Sequence, residues 1–208
     1  QGDIYTCPTD HQLKTSEISQ WRQTVWDAWK TANSGLKEDK LPPLSSLSGD
    51  CPGFWPLPDT LEPSASIPFY WGKKGEPRPS DGWPLFLYLH GSGPKEIEWS
   101  TGLSLCSQFD DSPSAYFIPQ IPNEGIYYRW WQRSKQFAWE RLFRQAIVSD
   151  DIDPDRMYVF GVSEGGYGSQ RLASFYADYL AAAGPMAGGE PLRNAPAENC
   201  SNLAFLLR

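Results

Sequence analysis

The stretch MYVFGVSEGG, residues 157–166, constrains the fold more than any other in the chain. Its apolar run up to Val162 predicts a strand buried on both faces. Beyond it, Leu172, Phe175, Tyr176 and Tyr179 mark one face of a helix. Between the two lies Ser163 in a G-x-S-x-G frame, with Gly161, Gly165 and Gly166 around it. A strand that becomes a helix within so few residues crowds its own backbone, and small flanking residues relieve that crowding. Such a turn lifts a serine hydroxyl out of the carboxyl edge of a sheet, where it works with a histidine and a carboxylate from later in the chain. No histidine follows Ser163. A dinucleotide-binding turn is a poor alternative, because the position that needs the second glycine is Ser163.

The remaining pattern predicts an α/β layering around that turn. Ile18, Trp21, Val25, Trp29 and Ala32 recur at steps of three or four, so residues 15–33 read as a helix. Residues 36–64, rich in Pro, Ser and Gly, read as an irregular connection over the surface of the main domain. SIPFYWG (66–72), WPLFLYLH (83–90) and SAYFIPQ (114–120) read as strands, with GEPRPSDG (75–82) as a turn. Trp139, Leu142, Phe143, Ala146 and Ile147 form a helix face, and DIDPDR before Met157 reads as a turn. LAAAGPMAG (180–188) and NLAFLLR (202–208) are the last two strand candidates. Strand and helix in alternation imply a mostly parallel sheet with helices on both faces. The expected division is an N-terminal helix and arm at 1–64 and a core at 65–208.

Composition narrows the function classes. The chain has 208 residues, 40% of them apolar, which suffices for one substantial core. A net charge of −7 without a long run of either sign argues against nucleic acid or an anionic membrane as partner. No stretch reaches membrane-spanning length. Cys7, Cys51, Cys106 and Cys200 show no C-x-x-C pair, and two histidines do not complete a usual zinc set with them, so no metal or other cofactor is expected. Either the four cysteines form two disulfides of an exported protein, with Cys7–Cys51 the most local pairing, or they are buried thiols. The chain opens at Gln1 without a signal segment, from which removal of the true start and a secreted or periplasmic location are expected. Asn199-Cys200-Ser201 fits the glycosylation sequon. Ten tryptophans serve either as core or as a groove for flat ligands such as sugar rings.

The chemistry expected at Ser163 needs donors for a developing oxyanion. The N–H of Glu164 opens the following helix, where backbone donors are unpaired and the dipole is positive. HGSG, residues 90–93, follows a buried strand and lets the N–H of Gly91 or Ser92 supply the second donor.

PLFLYLHGSGP, DIDPDRMYVFGVSEGG and YLAAAGPMAGG together resemble the α/β-hydrolase superfamily, in its esterase and prolyl-oligopeptidase-like branch, and are similar to secreted bacterial esterases of polysaccharide decorations. The resemblance covers residues 65–208. It implies a serine carboxylester hydrolase with Ser163 as nucleophile and Glu164 with Gly91 or Ser92 as the oxyanion hole. A small-molecule or carbohydrate ester is the implied substrate, with a peptidase or a non-catalytic binding protein as alternatives. His90 belongs to the oxyanion motif, where the family's histidine fixes the loop, and His11 lies in the N-terminal extension. Glu190, in GGEP, falls where some members carry the acid, or is only part of a turn. Arg129, Trp130 and Trp131 would lie on a loop near the elbow, either binding a substrate carboxylate and sugar ring or serving as core and surface cation. The family's histidine and later acid have no match here, so the C-terminal part of the fold is expected on a segment after Arg208, possessed as a separate chain or missing from this sequence.

Overall fold

The computed structural model describes residues 14–38, 40–50, 52–110 and 113–207. The chain divides between Lys37 and Glu38 into two compact units. The first contains α1 (Ile18–Ser34), opened by a 3-10 turn at Thr15–Glu17, as the spacing of three and four implies. Trp26 and Trp29, one helical turn apart, stack at 5.7 Å within it.

The second unit is built on one seven-stranded sheet in the order β1-β2-β4-β3-β5-β6-β7. Its strands are β1 (Gly53–Pro56), β2 (Ser66–Lys74), β3 (Trp83–Leu89), β4 (Ser114–Pro119), β5 (Ile152–Val162), β6 (Ala182–Met186) and β7 (Ala204–Phe205). β1 and β2 run antiparallel to their neighbours, while β4, β3, β5, β6 and β7 are mutually parallel. The apolar runs at 83–90 and 157–162 are therefore adjacent central strands, with Leu85, Leu87 and Leu89 beside Met157, Val159 and Gly161.

Alternation along these strands sorts the core into two layers. Tyr70, Tyr88, Tyr116 and Ile118 face α2 (Lys95–Gln108), where Trp99, Leu103 and Cys106 meet them. The opposite face carries the Trp55, Phe69 and Phe117 rings, 4.5–5.3 Å apart. α3 (Arg133–Val148) lies on that side, with Arg141 over the Trp55 ring. α4 (Glu164–Phe175) joins it through Trp130, which touches Gly168 and the Trp139 ring. Helices thus cover both faces.

Three expectations change. The arm lies against the core, with Glu38 bonded to Arg144 (2.8 Å) and Leu47 and Ser45 paired with Lys73, but it is not all irregular, since β1 extends the sheet. The second compact unit begins at Glu38. DIDPDR is mostly strand, since β5 starts at Ile152, which pairs with Trp83 before the register shifts. Of the NLAFLLR segment only Ala204 and Phe205 form a strand on β6, with the Leu206 N–H donating to Ala183 O (3.0 Å). Cys7 and Cys51 lie outside the described residues, so their pairing does too; Cys106 is buried and Cys200 is a half-buried free thiol.

Candidate active site

Ser163 stands between β5 and α4 with φ 55° and ψ −115°. This is a region that residues with a Cβ rarely adopt, at a cost on the order of 1–3 kcal/mol. The surroundings over-determine it. Ser163 N–H donates to Met186 O of β6 (2.9 Å), and Tyr167 N–H donates to Ser163 O (3.0 Å). A Cβ at Gly165 would collide with Leu89 O, and one at Gly161 would lie 2.5 Å from the same oxygen. Only glycine lets the elbow close this tightly against β3. Glu164 opens α4, so its N–H has no carbonyl four residues back to receive it.

The HGSG loop lies against the elbow: a Cβ at Gly165 would be 3.0 Å from His90 O. His90 is fully buried. Ile121 N–H donates to its Nε2 (3.1 Å), which leaves the proton on Nδ1, and Nδ1 donates to Gly91 O (2.7 Å). Burial lowers its pKa to about 4, against a smaller opposing pull from the Gly91 carbonyl. Both ring nitrogens are engaged in holding loops, the role the resemblance implies for this histidine. His11 lies outside the described residues. Gly91 N–H, one of the two expected oxyanion donors on this loop, donates to Glu98 Oε2 (3.1 Å). Ser92 is exposed and takes part in none of these bonds.

Residues 125–132 form the wall beside the elbow. Trp130 is completely buried. Its Nε1–H donates to His90 O (3.0 Å), its ring meets the imidazole edge-on at 4.7 Å, and its carbonyl accepts from Trp139 Nε1 (2.9 Å). Of the two readings open for Trp130, its burial places it in the core. Trp131 is half-buried, with the guanidinium of Arg171 at 4.1 Å and that of Arg129 at 6.0 Å from its ring centre. Arg129 Nη1 donates to Tyr128 O (2.6 Å) and lies 3.6 Å from Glu164 Oε1. That oxygen is buried without a hydrogen-bond partner. Burial raises the Glu164 pKa and the Glu190 charge adds to this, against Arg129 and Arg171.

Glu190 follows β6 and is held on both sides. Arg171 Nε lies 2.8 Å from Oε1, an ion pair too bent to be a hydrogen bond, and Asn194 donates to Oε2 (2.7 Å). Burial pushes its pKa up, but Arg171, Asn194 and Arg129 outweigh this and lower it. Gly188 of the same loop abuts Ser163 O.

Sequence reasoning missed Tyr128, Glu98, Arg171 and the buried pair of Glu62 and Lys135. Glu62 and Lys135 are both fully buried and in contact. Glu62 also accepts from Ser134 (2.7 Å) and Asn123 (2.8 Å), while Lys135 donates to Tyr127 O (2.8 Å). Nothing local in the sequence marks a glutamate at 62 as buried. Arg171 sits two helical turns beyond Ser163 on α4, a spacing that points to the same end of the site.

No family model matches the chain. NocK of Nocardia uniformis subsp. tsuyamanensis, a protein named as an esterase, is 32% identical over 138 residues, covering 60% of this chain and 38% of its own length. A thermostable esterase of known structure superposes with a TM-score of 0.59 at 20% identity, over 76% of this chain and 45% of that one. The enterobactin esterase FES of Shigella flexneri superposes with a TM-score of 0.53 at 14% identity, over 80% and 46%. The chain therefore spans less than half the length of each of these proteins. The two superpositions agree in fold with the seven-stranded, mostly parallel sheet.

Proposed function

From the premise of an α/β-hydrolase fold, we propose that this chain carries the nucleophile and oxyanion loop of a serine carboxylester hydrolase. The observation that carries the reading is Ser163, held at φ 55° between β5 and α4 and closed against the HGSG loop. In this mechanism Ser163 Oγ attacks the ester carbonyl and gives up its proton to a general base. The oxyanion accepts from Glu164 N–H and Ser92 N–H, the alcohol leaves, and water then releases the acyl group. The base and acid come from outside the described residues, because His90, the one histidine among them, is buried and already engaged. Glu190 remains a second candidate for the acid only if Arg171 and Asn194 release it.

The exposed Arg129 and the ring of Trp131 favour esters with an acidic or sugar-like flank, as on polysaccharide decorations. NocK's name favours an ester over a peptide bond. A secreted or periplasmic setting suits such a substrate. Labelling of the full-length encoded protein with a fluorophosphonate tests the reading. Rapid modification that disappears in Ser163→Ala is expected, followed by turnover of acetylated, feruloylated or methyl-esterified polysaccharides. No labelling of Ser163 would point to a non-catalytic binding protein, and turnover of short peptides alone to a peptidase.

A further inference from the structure

The carbonyl oxygen of Gly91 collects two donors. Tyr128 Oη lies 2.6 Å from it and His90 Nδ1 lies 2.7 Å from it. The Nε2 of His90 accepts from Ile121, so the imidazole proton is on Nδ1 and is donated to Gly91 O. Tyr128 is buried, and its oxygen is also within 3.1 Å of Gly93 O and 3.4 Å of His90 Nδ1. A phenol has one proton, and the shortest of these contacts receives it.

The Gly91 oxygen and the Ser92 N–H belong to one peptide unit. Among the described residues the only cis peptide is Glu76–Pro77, so this unit is trans and planar. In a trans peptide the C=O and the N–H point in opposite directions. Fixing the oxygen therefore fixes the direction of the Ser92 N–H. The preceding N–H, of Gly91, is held by Glu98 (3.1 Å), which engages that donor and fixes the adjoining His90–Gly91 unit on the other side of the Gly91 Cα. A flipped unit would turn a carbonyl oxygen toward the place where negative charge develops.

We propose that Tyr128 is a positioning residue for the oxyanion hole: its hydroxyl, with the His90 Nδ1–H, aims the Ser92 N–H through the shared peptide plane. This rests on the hydrolase reading above. It assigns Tyr128 a role in transition-state stabilisation and none in binding the ground state.

The test is Tyr128→Phe in the full-length protein, with Ser163→Ala as the blank, on an activated ester. kcat should fall by about tenfold to a hundredfold, less than loss of a donor outright, with KM within about twofold. A boronate that mimics the tetrahedral state should bind weaker by the same factor as kcat. Ser92→Pro, which deletes the N–H, should lower kcat at least as far, and adding Tyr128→Phe to it should change little more; a merely structural tyrosine would give additive losses. Should Tyr128→Phe fail to fold, the phosphonylated wild type decides by crystallography. The phosphonyl oxygen is expected on the Ser92 N–H, with Tyr128 still on Gly91 O. Unchanged kcat in Tyr128→Phe, or a phosphonyl oxygen bonded to Tyr128 or Gly91, overturns the inference and leaves the hydrolase reading standing. Absence of any Ser163-dependent turnover in the wild type overturns the reading and this inference with it.

Discussion

Two ion pairs serve the loop of residues 121–132, and they are built differently. Glu62 and Lys135 are fully buried, and Glu62 has further donors in Ser134 and Asn123. Arg129 and Glu164 are 3.6 Å apart, and the arginine side chain is 49% exposed while the glutamate is 12% exposed. The first pair joins the loop to the arm, and the second joins its tip to the elbow. A buried pair with every partner in place fixes geometry, because removing either member strands a charge. A long, half-exposed pair holds nothing so firmly, and its arginine can exchange one carboxylate for another. The wall of the site is thus anchored at Asn123 and Tyr127 and adjustable at Arg129.

The sharpest way to break this contrast is Glu62→Ala. It would leave the Lys135 ammonium buried, where burial already lowers its pKa against the pull of Glu62. A loss on the order of 3–5 kcal/mol in urea unfolding is expected. Glu62→Leu with Lys135→Met should recover part of that loss, since no charge is then left unpaired. A single variant within about 1 kcal/mol of wild type would put the two pairs in the same class.

The loop above the anchored side should also resist acid to a definite limit. The unfolded His90 gains a proton near pH 6.5, whereas burial holds the folded ring neutral to about pH 4. Between these values the unfolded chain binds more protons, so stability falls as pH falls. The contribution is complete above about pH 6.5 and is lost by about pH 4, a span worth about 3 kcal/mol. The chain has two histidines, so a spectrum labelled at the imidazole carbons contains two signals. One should keep its neutral position down to about pH 4. Titration of both near pH 6.5 would break the picture of a dry His90 fixed between Gly91 and Ile121.

The sequence disclosed those parts of the molecule whose structure is decided locally. The central strands announce themselves by apolar runs, α3 by a clean stripe at 139–147, and the elbow by glycines that its backbone needs whatever the rest does. α2 escaped because its buried positions, Gly102 and Cys106, are small and lie among serines and glutamates. β1 escaped because Pro and Gly surround it, and only pairing with Ile67–Phe69 makes it a strand. Trp130 and Trp131 look alike in sequence. One is core and the other faces Arg171 because of contacts to His90 and α4, some 40 residues away. The Gly91 N–H reads as available until Glu98, seven residues on, is seen to take it. Spacing shows which residues can reach a site, and only packing shows which of them are already occupied.

The smallest expected effect on stability belongs to Arg129→Ala, and it sharpens the contrast from the other side. A half-exposed ion pair at 3.6 Å contributes little, so the urea midpoint should move by less than about 1 kcal/mol. Its effect on recognition should be larger and selective. If Arg129 turns from Glu164 to an acidic substrate, losing that charge-assisted contact should weaken binding by about 1.5–3 kcal/mol, which is roughly tenfold to a hundredfold in KM. A small neutral ester makes no such contact and should be almost unaffected. Glu164, relieved of its nearest cation, should also become easier to protonate, since Arg129 now opposes the burial that raises its pKa. The measurement is KM for matched acidic and neutral esters in the full-length protein, alongside the urea midpoint. Equal losses on both substrates would make Arg129 a structural residue that holds the rim in place, and the rim would then be as fixed as the Glu62–Lys135 side.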